Sequence, residues 1–171
     1  MHSCEATRSP TWVPRYVRLI DVIRPYTNED QGDVLDVWYR ASLIAHSFLS
    51  EAFLVNERQQ IADQWLPVAE TVVYQTDGRV VGFLAMIGSE VGGIFVDPDY
   101  QGRGIGRALM DHARRSHPVL ELDVFEANSI GRRFYDAYGF VLMNRHMNEV
   151  AGEPELRLRL ETDRPQDNQS E

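Results

Sequence analysis

The chain has 171 residues, of which 43% are apolar and 25% charged, and it carries a net charge of −9. These values suit one domain with a full core and argue against nucleic acid as a partner, since that binding runs on basic side chains displacing counterions. All 17 basic residues are arginine, which excludes a P-loop NTPase and an internal pyridoxal phosphate Schiff base, because both need a lysine.

Residues 1–16 read as a flexible lead-in, with Pro10 and Pro14 among mixed polar residues. The start has no apolar signal core, and no apolar run is long enough to span a bilayer, so a cytoplasmic protein without a membrane partner is expected. Cys4 is the only cysteine, which rules out an internal disulfide. The five histidines show no ligand spacing, so no metal is expected.

"LIDVIRPY" is the first strand candidate. Thr27 and Asp30 then form a capping-box pattern, and Val34, Val37, Trp38, Ala41 and Ala45 recur at helical spacing. A short second helix is predicted around Arg58 to Trp65, ending before Pro67. "ETVVYQTDGRVVGFLAMI" reads as a hairpin turning at Asp77-Gly78, and "VGGIFVDPDY" as a third strand beside it. Gly92-Gly93 and Pro98 suggest a bulge that splays the sheet. Ile105, Leu109 and Ala113 share one helix face. Leu120, Leu122 and Val124 alternate with Glu121, Asp123 and Phe125 as in a strand. "NSIGRRFYDAYGF" opens on an Asn cap and closes on Gly. "VLMNRHM" and "ELRLRLE" are the last strands. The expected fold is a mixed α/β sheet of about seven strands flanked by about four helices, one domain over 17–161, with a polar tail at 162–171.

The unusual stretch is "DPDYQGRGIGRALMDHARR", with Gly102, Gly104 and Gly106 at alternate positions just before a helix. The first N–H groups of a helix lack internal partners, and the dipole there is positive. Without Cβ atoms, phosphates can approach that backbone closely, and Arg103 and Arg107 can add charge-assisted contacts. The G-x-G-x-G spacing, placed after three antiparallel strands, differs from a dinucleotide fingerprint. A plain glycine turn is the alternative reading.

"QGRGIG" resembles the Q/R-x-x-G-x-G/A pyrophosphate motif of the GNAT N-acetyltransferase superfamily, and "NSIGRRFYDAYGF" resembles its second signature, about 30 residues on. "WYRASLIAHSFLS" further resembles the small bacterial acetyltransferases of the YjaB and YiaC type. The resemblance implies acetyl-CoA as cosubstrate and an amine as acceptor, joined by direct attack in a ternary complex. It implies that Gly102, Arg103, Gly104, Ile105, Gly106 and Arg107 hold the pyrophosphate. It also implies that Ile94, Phe95 and Val96 pair with the pantetheine arm and that Asn128, equally readable as a helix cap, lies near the thiol. Tyr135 is implied as the general acid. Glu90, Asp123 and His46 are candidate bases, and a water chain is the alternative to them. Each of the three also has a plain reading: an exposed strand end, the polar face of a strand, or a packing residue. The acceptor is a small amine or a protein lysine or N-terminus, the assembly a monomer or homodimer. A rival reading is a non-catalytic acyl-CoA sensor on the same fold.

Overall fold

β-Rich runs bounded by turn residues become seven strands. They are β1 (Val22–Pro25), β2 (Glu70–Thr76), β3 (Arg79–Ile87), β4 (Glu90–Val96), β5 (Val119–Phe125), β6 (Val141–Asn148) and β7 (Glu153–Glu161). Four α-helices join them: α1 (Gln31–Ala45), α2 (Glu51–Gln60), α3 (Ile105–Arg114) and α4 (Ser129–Tyr138). The computed structural model describes residues 21–161. The expected lead-in at 1–16, with Cys4, and the tail at 162–171 lie outside them.

One sheet holds all seven strands in the order β1-β2-β3-β4-β5-β7-β6. Every neighbouring pair is antiparallel except β4 and β5. The mixed sheet, the helix count and the chain order agree with the sequence expectation. The β2–β3 turn places Asp77 and Gly78 at φ 53° and 75°, the left-handed pair that a two-residue hairpin requires.

Alternation puts a core on each side of the sheet. On β2, Val72 faces the core that contains Leu109, Met110, Leu120 and Leu122, while Val73 faces the core that contains Val34, Val37, Trp38 and Leu54. Thus α3 covers one face and α1 and α2 cover the other, and each apolar helix stripe excludes water from its face.

The second helix departs from expectation. It starts at Glu51, seven residues before Arg58, because Ser50 caps it: its hydroxyl oxygen accepts from the Phe53 N–H at 3.1 Å. The segment expected to be a short helix is the end of this longer one. It runs on as a π turn over Ile61–Trp65.

Two features of β4 open the sheet. Ala85 pairs with Gly93 and Met86 with Val91, so Gly92 is an extra residue, a bulge. On its other side β4 meets β5 at a single register pair, Glu90 with Glu121. Beyond that pair the two strands part.

At the start of α1, Arg24 donates to both Asp30 carboxylate oxygens at 2.7 Å, and Thr27 donates to the same carboxylate through its backbone N–H and its hydroxyl. The guanidinium is the main reason the Asp30 carboxyl sits at about 2 rather than 3.8. A lowered carboxyl contributes stability above its unfolded value and loses it as pH falls through the folded one. Asp30→Asn should cost about 2 kcal/mol at pH 7, with the gap closing toward pH 2; urea unfolding of both proteins across that range checks it.

Candidate active site

The glycine run forms the turn between β4 and α3. Gly102 and Gly104 adopt φ 76° and 82°, a region that side-chain-bearing residues rarely enter. Gln101 ties the turn to the strand by donating to the Val96 carbonyl at 3.0 Å. Behind it, the buried Asp97 carboxylate accepts from the Asp99 N–H at 2.9 Å and from Arg40 of α1. The first α3 N–H groups follow Gly104 and open the helix without internal acceptors. Arg103 lies over the Tyr100 ring at 4.8 Å and Arg107 over Tyr138 at 5.5 Å. Among the described residues neither makes an ion pair, so both guanidinium charges are available to an anion.

A cavity of about 1010 Å³ begins at this loop and extends to α2. Along it lie Ile94, Phe95 and Val96 of β4, Asp123 and Phe125 of β5, and Asn128 and Tyr135. The gap between β4 and β5 is therefore part of the cavity floor. All the residues expected to hold a phosphate-bearing ligand line this one space, except Arg103, which flanks it.

Tyr135 stands on α4 seven residues after Asn128, two turns along the helix. Its ring meets Phe134 and Phe140 edge-on, with centroids 5.4 and 5.5 Å away. Burial pushes its pKa upward, so the phenol keeps its proton at physiological pH. Among the described residues no group hydrogen-bonds its hydroxyl.

Asn128 is buried and acts at both ends of its amide. The oxygen accepts from the Gly131 N–H at 2.8 Å, capping α4. The nitrogen donates to His46 Nε2 at 3.2 Å. Gly131 makes this possible, because a Cβ there would lie 2.8 Å from Asn128 Nδ2. The His46 ring is enclosed edge-on by Phe125, Phe48 and Phe95, with centroids 5.4, 5.9 and 6.3 Å away. Desolvation pushes its pKa down to about 4, so the ring is neutral at pH 7, and the amide bond defines Nε2 as its bare nitrogen.

Glu90 and Asp123 come together on the opposite wall, joined by a residue that the sequence reading missed. Arg157 of β7 grips Glu90 with two bonds of 2.6 Å, Asp123 with one of 3.0 Å and Glu121 with one of 2.9 Å. His146 Nε2 lies 3.4 Å from Glu155 and 3.7 Å from Asp123. Arg157 has one faint sequence signal, the alternation of Arg157 and Arg159 with leucines on a strand whose neighbour alternates acids. Cavity-lining Glu57 was also missed, because the start of α2 was misplaced, and Trp65 was read only as the end of the expected short helix. Among the described residues no group of three or more His, Cys, Asp or Glu side chains is arranged to hold a metal ion, and no helix is long and apolar enough to cross a membrane.

Residues 67–142 match the acetyltransferase (GNAT) domain family. The peptidyl-lysine N-acetyltransferase YjaB of Salmonella typhimurium is 33% identical over 133 residues, 77% of this chain and 91% of that protein. The solution structure of apo-form YjaB from Escherichia coli superposes with a TM-score of 0.74 at 28% identity, covering 82% of this chain and 97% of that one. At 18% identity, the PaiA N-acetyltransferase of Thermoplasma acidophilum, solved in complex with coenzyme A, shares the fold with a TM-score of 0.69 over 84% of this chain and 99% of its own. The chain belongs to the GNAT acetyltransferase family and is an N-acetyltransferase.

The buried neutral His46 has a consequence for stability. Its folded pKa of about 4 lies below the ordinary 6.5, so the unfolded chain binds more protons between those values. The stability this contributes is complete above pH 6.5 and is lost as pH falls through about 4, by at most about 3 kcal/mol. His46→Phe should therefore flatten the decline of unfolding free energy between pH 7 and pH 4. Nitrogen-15 spectra of the unsubstituted protein should show Nε2 unprotonated throughout the neutral range.

Proposed function

We propose that this GNAT acetyltransferase carries the acetyl group of acetyl-CoA to the side-chain amine of a protein lysine by direct attack in a ternary complex. One observation carries the reading: the bare helix terminus at the glycine loop, the unpaired edge of β4 and the unpartnered Tyr135 hydroxyl all border a single cavity. The coenzyme A held by the PaiA fold relative supports the cosubstrate, and the peptidyl-lysine relative supports the acceptor class.

In this reading the backbone of Gly102, Gly104, Ile105 and Gly106 accepts the pyrophosphate, with Arg103 and Arg107 at its flanks. The pantetheine arm lies along Ile94, Phe95 and Val96, bonding as an added strand where β5 has turned away. Asn128 borders the thiol end. The lysine ammonium first gives up a proton. Glu90 and Asp123 have oxygens committed to Arg157, and His46 Nε2 is committed to Asn128, so the proton leaves through water at the Glu90–Asp123 wall. The neutral nitrogen attacks the thioester carbon, and the oxyanion is met by a backbone N–H near Val96. Collapse breaks the C–S bond, and the leaving sulfur takes the Tyr135 proton. The new amide nitrogen releases its second proton, and the phenol is reprotonated from solvent. The overall exchange yields acetyl-lysine, coenzyme A thiol and one proton.

Acetyl-CoA should raise the melting temperature where ATP and NAD do not, and lysine peptides should release thiol from it. The chain has no lysine of its own, so acetyl label found on lysine reports the added acceptor. Tyr135→Phe should lower kcat about 100-fold or more with the acetyl-CoA melting shift intact. Gly104→Val, strained at its positive φ, should abolish that shift. A melting shift without turnover on any lysine peptide or amine would favour the acyl-CoA sensor instead.

A further inference from the structure

Four carboxylates face the cavity: Glu57, Glu90, Asp123 and Glu155. Arg157 pairs with Glu90 and Asp123, and His146 lies against Glu155. Glu57 differs from these three. Among the described residues its carboxylate makes no ion pair or hydrogen bond, although it is partly buried and desolvation raises its pKa. A carboxylate removed from water without a partner is costly to the free protein. A glutamine of the same shape would avoid that cost.

Helical spacing explains where Glu57 points. Phe53, Glu57, Gln60 and Ile61 stand at i, i+4, i+7 and i+8, one stripe along α2, and all four line the cavity. The π turn continues this wall. The Leu66 N–H reaches back five residues to the Ile61 carbonyl at 2.9 Å, and Trp65 stands on the cavity with 47% of its surface exposed. Such π insertions gather at functional sites. The wall is thus an apolar channel with one unanswered negative charge and an indole face that also attracts cations.

We propose that Glu57, flanked by Phe53, Ile61 and Trp65, is the subsite that recognises the acceptor: a primary alkylammonium at the end of an apolar stem. The inference rests on the acetyl-transfer reading and names what draws the acceptor in. The three apolar side chains cover the methylenes, and Glu57 receives the charge that nothing else in the cavity pairs with it.

The test uses the full chain and the Glu57→Gln variant, with a lysine peptide as substrate and the same peptide carrying norleucine as a competitive inhibitor with an identical stem and no ammonium. The variant should raise KM for the lysine peptide about tenfold or more and leave Ki for the norleucine peptide within about twofold. Its acetyl-CoA melting shift should be unchanged, and its own melting temperature equal or higher, since the desolvated charge is gone. An unchanged KM overturns the proposal. So does an equal loss on both peptides, or a lower melting temperature, either of which would give the Glu57 carboxylate a role in the fold and not in receiving the ammonium. Failure of the unsubstituted protein to bind acetyl-CoA or to turn over any amine overturns the transfer reading instead, and is seen before the variant is made.

Discussion

The parting of β4 from β5 is the constraint on which the rest depends. A parallel strand pair inside a sheet normally satisfies a full ladder of backbone groups, and leaving buried N–H and C=O groups unpaired is expensive. Here the pairing stops after Glu90 and Glu121. The bulge at Gly92 bends β4 just where it loses its neighbour, so the unpaired edge opens onto a cavity and not onto packed side chains. In the proposed reading an extended ligand that bonds like a strand answers that edge. The glycine loop lies at the end of the same strand, so a chain-like ligand with a phosphate head meets both features in one direction. Asp97, held by Arg40, fixes the loop to α1, and the sheet, the loop and this helix thereby share one frame.

A split sheet needs another tie across the gap, and Arg157 supplies it. Its guanidinium bridges Glu90 of β4 with Glu121 and Asp123 of β5, replacing lost backbone bonds with side-chain ones. The three acids and the arginine are all partly exposed, so each bond taken alone is weak. Their value lies in geometry: a planar donor with several N–H groups holds two strands at a set separation near the point where they diverge. This also accounts for carboxylates on the cavity wall that are occupied before any substrate arrives.

Local signals were the legible ones. The Asp77-Gly78 hairpin, the alternation on β5, the glycine run before α3 and the Asn128 cap each depend on residues within a few positions of one another, and each was readable from the sequence. α2 was only half readable, because Phe53, Leu54 and Val55 stand together and leave no clean helical stripe: Leu54 is buried while Val55 is exposed. The links that join the two sides of the site were not readable at all. Arg157 reaches Glu90 across 67 residues and Asn128 reaches His46 across 82; no periodicity encodes such pairs. His46 was read as a candidate base from the resemblance of its own segment and its residue type, and of its surroundings only Phe48 is local: Phe95 comes from β4, and Phe125 and Asn128 from the end of β5 and the start of α4.

That last pairing bears on how the two halves of the cavity stay aligned. α1 ends at His46, whose backbone N–H bonds to the Ser42 carbonyl at 2.8 Å. α4 begins at Asn128 and carries Tyr135. The single bond from Asn128 Nδ2 to His46 Nε2 therefore joins the end of the helix that leads to α2 to the start of the helix that bears the proposed acid. It works only while the ring is neutral, since a protonated imidazole has no lone pair for the amide. The phenyl cage secures this by keeping water away, and it lowers the ring's proton affinity without a neighbouring charge. A salt bridge in the same place would have tied the helices with two charges held inside a cage of phenyl rings, where desolvation is costly. An amide and a neutral ring connect the two sides without placing a charge between them.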